Sequence, residues 1–297
     1  MLGDMPSIAT GFSSDPAVGE VLTLVDDRDG SSVTLAPHRG ALVTSFRVGG
    51  RELLYLDPAT LADPTKNVRG GIPILFPSPG RLEGDRWRTL GRAGAMLQHG
   101  FVRSLPWTVA ATSTEPNARV SLTLESSQDT RALYPWDFHN EFSFELDRSR
   151  LRITARVHNA SSFEMPFALG FHPYFQVDDK PGAQIASGAT EAFDNVQKQV
   201  VPFTGFDFSA PELDMHLVDH GTDRATLALA DGSRIELRAS ADYSWWVVWS
   251  VAGKDYVCLE PWTAPGNALN TGDRLLMLDP GATHESWIEL SFTASAT

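Results

Sequence analysis

The chain has 297 residues, 42% of them hydrophobic. That is enough for one large domain or two small ones around a sizeable core, and it is not the composition of a disordered chain. With 24 Lys+Arg against 37 Asp+Glu the formal net charge is −13, a balance that repels nucleic acid and anionic membranes and excludes both as expected partners. The single cysteine, Cys258, leaves no intramolecular disulfide and points to a cytoplasmic setting. The opening stretch, MLGDMPSIATGFSSDP, lacks the basic and apolar regions of a signal peptide, and no apolar run is long enough to span a bilayer.

Residues 1–15 read as a loose polar tail and residues 16–297 as one domain, with no mid-chain linker and no fixed-period repeat. Apolar–polar alternation then recurs along the chain. VLTLVDD (21–27) and SSVTLAP (31–37) flank RDG, and ALVTSFRVGG (41–50) runs through a Gly-Gly turn into RELLYLD (51–57), which predicts successive hairpins. DPATLADP (57–64) is the best helical candidate and covers only a turn or two. The alternation resumes in RVSLTLESS (119–127), EFSFELD (141–147) and LRITARVHN (151–159). It returns in ATLALAD (225–231), SRIELRAS (233–240), SWWVVWS (244–250), DYVCLEP (255–261) and SWIELSFTA (286–294). Strands do not alternate with helices, so a parallel α/β sheet is disfavoured and an all-β, large antiparallel sandwich or barrel is predicted.

Four segments break the alternation: RGGIPILFPSPGRLEGDRW (69–87), LQHGFVRSLPW (97–107), FALGFHPYF (167–175) and CLEPWTAPGNALNTGDRL (258–275). Each concentrates glycine, proline, aromatic rings and a few polar groups, the content of loops on which sites are built. Within them, Pro173 biases His172 toward extended backbone and offers no N–H to a sheet ladder, which places His172 at an edge, a bulge or a strand end. Glu260 is followed by Pro261 and Trp262, so a partly apolar pocket that raises its pKa is one reading and a solvated strand end is the other. A phosphate loop, a dinucleotide fingerprint, zinc-type Cys/His spacing and a nucleophile elbow are all missing.

Taken in order, these four segments resemble the aldose 1-epimerases, or galactose mutarotase-like proteins, and look most similar to a poorly characterised bacterial branch with GGIPILFP, HGF-R-LPW, HPYF and EPW. The resemblance implies a galactose mutarotase-like β-sandwich, no cofactor, no metal, and a small-molecule sugar as the partner. It makes His172 the catalytic acid and Glu260 the catalytic base. It assigns substrate binding to His99, Arg81 and Asp214, with Asp219 as a rival to Asp214 because that loop aligns loosely. Trp262, Phe76, Phe171 and Tyr174 are candidates to face a pyranose, with core packing as the alternative for each.

Interconverting anomers needs a base at the C1 hydroxyl and an acid at the ring oxygen, so that the ring opens, rotates about C1–C2 and closes. A carboxylate and an imidazole suit both directions. The leading reading is therefore an isomerase acting on a free aldohexose. A hexose 6-phosphate is the second reading, with Arg69, Arg81 and Arg103 as a phosphate clamp. A non-catalytic sugar-binding or regulatory protein on the same fold is the third. SWWVVWS reads as a core strand rather than a sugar platform, and His139, His158, His216, His220 and His284 carry no motif. The acid and base are expected on different strands or loops, with functional atoms several ångströms apart.

Overall fold

Period-two alternation makes one face of a strand apolar, and two such faces bury one another when sheets stack. A computed structural model, which describes residues 6–13, 18–217 and 220–295, has this architecture. Every pairing between its strands is antiparallel, in two eight-stranded sheets, a five-stranded sheet and two short ribbons. The all-β expectation holds. The DPATLADP stretch forms a helix of five residues, Pro58–Ala62, with the Asp57 side chain accepting from the Ala59 N–H. Among the described residues no helix is long and apolar enough to cross a membrane.

One large sheet is centred on Thr283–Thr293, Arg150–Asn159, Phe138–Asp147 and Ala118–Glu125, paired in that order. The other is centred on Glu212–Leu217, Trp245–Val251 and Tyr256–Trp262, with the short strands Gly170–Phe171 and Tyr174–Gln176 against the last of these. Phe142 of the first sheet meets Phe171 of the second at 6.0 Å between ring centroids, and Phe76 meets Phe138 at 5.3 Å. Trp246, Val248 and Leu259 are fully buried in the same core.

Two departures concern strands. Ser7–Phe12, inside the stretch read as a tail, pairs with Glu20–Asp26 as an edge strand of the five-stranded sheet. Its side chains are mostly exposed, so backbone hydrogen bonds hold it and its polarity hides it. Gln184–Ala186 and Gln199–Pro202 are likewise mostly exposed and Glu191–Asp194 is partly so, and at three or four residues each they are too short to show a period.

Candidate active site

In an antiparallel sheet, residues directly opposite one another share a face, and residues two apart on a strand share it too. Three rows follow across the second large sheet. Asp214 pairs with Trp249, which pairs with Cys258, which pairs with Tyr174. His216 pairs with Val247, which pairs with Glu260. Trp245 pairs with Trp262, which pairs with Gly170. The face opposite the core therefore carries two carboxylates, two tryptophans flanking a valine, a thiol and a third tryptophan. This corrects the reading of SWWVVWS: only Trp246 and Val248 enter the core, while half-buried Trp245 and Trp249 turn to the polar face.

The broken segments supply the rest. His172 follows Gly170–Phe171, and its ring stacks on Tyr174 at 4.6 Å with planes 8° apart. Its Nε2 lies 3.3 Å from Glu260 Oε1, while Glu260 Oε2 accepts the indole N–H of Trp262 at 3.2 Å. Gly170 is required beneath them, because a Cβ there would lie 2.7 Å from the Trp262 ring and 2.8 Å from Pro79. His99 packs edge-on against His172 at 5.4 Å and Trp262 at 6.1 Å. Its Nδ1–H donates to the Pro79 carbonyl, leaving Nε2 as an acceptor. The next residue, Gly100, is left-handed at φ +71, and a Cβ on it would fall 2.0 Å from the Phe76 carbonyl oxygen. That close approach fixes the histidine loop on the 69–87 segment.

The two residues expected to be acid and base thus lie 3.3 Å apart, closer than expected. The expectation assumed that a pyranose lies between them. The ring oxygen and the C1 hydroxyl are bonded to the same carbon, so two groups serving them from one side can be neighbours.

Electrostatics at this cluster favour uncharged forms. Burial pushes the Glu260 carboxyl well above its ordinary range, and the Asp214 charge adds to this. Burial likewise holds the His172 imidazole well below its ordinary value, helped by His99 and by the positive charges of Arg103 and Arg69. Burial and Arg103 bring His99 down to about 3. Arg103 itself is lowered to about 10 by burial. Both directions favour a neutral carboxyl and a neutral imidazole side by side, so Glu260 would have to ionise before it could accept a proton.

Asp214 joins the same face. Burial raises its carboxyl, but hydrogen bonds from His216 and Asn195 outweigh that and hold it below the usual range. Asn195 Nδ2 donates to Oδ2 at 2.6 Å, and His216 Nε2 lies 3.1 Å from Oδ1. Trp245 Nε1–H donates to His216 Nδ1 at 2.8 Å, which puts the imidazole proton on Nε2, facing Asp214. His216, set aside from sequence, is thus part of the site. The signal was present: Asp214 and His216 are two apart on a strand and must share a face. Its rival Asp219 lies outside the described residues.

The remaining candidates divide. Arg69 stands over the Trp249 ring at 5.7 Å, and Arg103 donates to the Gln98 carbonyl at 3.1 Å; neither has a carboxylate at ion-pairing distance among the described residues. Arg81 is exposed at the rim, beside Gly80, which packs on Trp262. Tyr174 and Trp262 face the site, whereas Phe76 and Phe171 are fully buried among core aromatics. His139 and His158 lie at the surface against Glu125 and Thr283. His220 is buried on Trp246, and His284 packs on Phe167.

A family model described as aldose 1-epimerase matches residues 20–291. A structure from Synechocystis is 36% identical, covers 99% of both chains and superposes with a TM-score of 0.90. A galactose 1-epimerase from Lactobacillus acidophilus is 16% identical over 98% of this chain and 99% of its own, with a TM-score of 0.77, a likeness of fold. Among curated relatives, a provisionally named glucose-6-phosphate 1-epimerase from Cenchrus ciliaris is 31% identical over 47% of this chain and 42% of its own length. One of the same name from Salmonella typhimurium is 27% identical over 53% and 50%. The chain spans about half the length of these curated relatives. The family match reaches from the first long hairpin to the last strand and takes in all four broken segments, so the chain belongs to the aldose 1-epimerase family.

Proposed function

We propose that the protein interconverts the α and β anomers of an aldohexose, with Glu260 as base at the C1 hydroxyl and His172 as acid at the ring oxygen. The observation that carries this is the buried contact between His172 Nε2 and Glu260 Oε1 at 3.3 Å. Ring opening runs through the ionised form of Glu260, which burial makes the minor one: one proton moves from the hydroxyl to the carboxylate and another from the imidazole to the ring oxygen. The aldehyde rotates, and closure returns both protons. Trp262 orients the carboxyl through Glu260 Oε2. His99 Nε2 accepts a sugar hydroxyl, and Asp214, held by His216 and Asn195, accepts another through its remaining lone pairs. Trp249 and Tyr174 offer ring faces to the C–H side of the sugar.

One observation favours the phosphorylated sugar over the free one. Arg69 and Arg103 bear on His99 and His172 electrostatically, yet no carboxylate pairs with either among the described residues. Two guanidinium groups without a counter-ion suit a phosphate dianion. The names of the curated relatives support the same substrate class. Sequence alone places free hexose first; the arginine pair moves a hexose 6-phosphate ahead. Polarimetry on freshly dissolved α-anomers of glucose and glucose 6-phosphate separates them. Faster equilibration of the phosphate ester alone, or at far lower concentration, is expected. Equal or better turnover of free glucose rejects the phosphate reading, and no acceleration of either rejects the enzyme reading.

A further inference from the structure

The proposed acid and base have a third neighbour that sugar chemistry does not use. Cys258 lies two residues before Glu260 on the same strand face and opposite Tyr174 in register. His172, Cys258 and Glu260 each offer one ligand atom, and these atoms all lie within 4.8 Å of one another. A tetrahedral zinc ion, with bonds of about 2.0–2.3 Å to nitrogen, oxygen and sulfur, separates its ligands by roughly 3.3–3.7 Å. His172 Nε2 and Glu260 Oε1 already stand 3.3 Å apart. Closing the third corner from within 4.8 Å is in the reach of side-chain torsions, because Cys258 lies opposite Tyr174, on whose ring the imidazole stacks.

We propose that His172, Cys258 and Glu260 form a site for one thiophilic divalent ion of the zinc class, which blocks the sugar site by occupying its acid and base. Imidazole, thiolate and carboxylate make a three-ligand set with the fourth position left open. The step is a ligand exchange without redox change: the Cys258 S–H bond breaks, the sulfur–metal bond forms, and the proton passes to solvent. A carboxyl proton on Glu260, where present, leaves the same way. Selectivity follows from the surroundings. Arg69 and Arg103 repel cations generally, so a hard ion such as Mg2+ or Ca2+, which needs six or more oxygens, gains too little here. A soft ion gains the thiolate bond, and thiolate plus carboxylate match its two charges.

Cobalt(II) is the probe. Titrating the full-length protein is expected to give a thiolate-to-cobalt charge-transfer band and tetrahedral visible bands, saturating at one ion per chain and displaced by zinc. Cys258→Ser should lose the charge-transfer band and keep mutarotation, because the thiol takes no part in the reaction. Its half-inhibitory zinc concentration should rise at least about tenfold. Cys258→Ala, which puts no hydroxyl into the apolar floor, repeats the comparison on an independently folded variant. Mg2+ and Ca2+ should leave wild type unaffected. A cobalt spectrum without the thiolate band, or equal zinc sensitivity in wild type and both variants, overturns the proposal. The spectral arm stands whether or not the chain is a mutarotase, so failure here is distinguishable from failure of the catalytic reading.

Discussion

Glu260→Gln tests the base directly, and the structure says why the test is clean. Glu260 is fully buried, with one oxygen accepting from Trp262 Nε1–H at 3.2 Å and the other 3.3 Å from His172 Nε2. An amide can reproduce both contacts: its carbonyl accepts from the indole, and its NH2 faces the imidazole lone pair. Burial already favours the uncharged carboxyl, so exchanging it for a neutral amide removes no buried charge. Folding stability should change by less than about 1 kcal/mol. Sugar affinity should also move by about 1 kcal/mol, roughly fivefold, the scale of one hydrogen bond. The rate should not survive, because an amide cannot take the hydroxyl proton. Loss of a general base costs about 10²–10⁴ in rate, or roughly 3–5 kcal/mol of barrier. Polarimetry and calorimetric titration on the same folded samples give both quantities. A variant that binds normally and keeps more than a tenth of the wild-type rate refutes the base assignment. Wild type that binds sugar yet runs no faster than buffer makes the protein a binding module instead.

Arg103→Met should raise KM for a hexose 6-phosphate by about tenfold to a hundredfold, the worth of one charge-assisted contact. Turnover of free hexose should change less, and only through the His172 and His99 imidazoles that the Arg103 charge helps to hold low; parallel kinetics on the two sugars checks this, and equal losses on both would remove the phosphate role. Away from the site, Asp26 is held at about 2, chiefly by the Arg28 side chain and further by the Arg148 N–H. A folded-state value depressed below the unfolded one stabilises at all pH above about 4, and that stability is lost as pH falls toward 2. Allowing for the solvent-exposed side of Arg28, the contribution is about 1–2 kcal/mol. Asp26→Asn should therefore destabilise at neutral pH and flatten the acid limb of a denaturation series between pH 4 and 2; an unchanged limb would assign acid sensitivity to other carboxylates.

What could be read from sequence, and what could not, follows from the range of each signal. Period-two alternation is local, so the long central strands were legible, including Arg150–Asn159 and Thr283–Thr293. Edge strands such as Ser7–Phe12 gain their order from a partner's backbone, and side-chain pattern cannot report that. Within one strand the site face was also local information. Cys258, Glu260 and Trp262 are two apart, as are Trp245, Val247 and Trp249, and Asp214 and His216. Calling SWWVVWS a core strand overlooked that a strand has two faces, and setting His216 aside overlooked its spacing from Asp214.

Register between strands is another matter. Nothing in the sequence says that Val247 lies opposite both His216 and Glu260, and that coincidence gathers the two carboxylates, His172 and the tryptophans on one surface. Nor does a motif distinguish arginines by depth. Arg81 directly follows the Phe-Pro segment yet lies exposed at the rim, while Arg69 and Arg103, which begin or sit within looser segments, act on the histidines through their charge. Phe171 stands next to His172 and Phe76 lies in a broken segment, but both turn inward, because their rings fill the gap between the sheets. The chemistry at this site belongs to residues that the sequence names one by one. Their protonation states belong to the assembly, since burial and the charges of Arg69, Arg103 and Asp214 are what favour a neutral carboxyl beside a neutral imidazole at 3.3 Å over an ordinary ion pair.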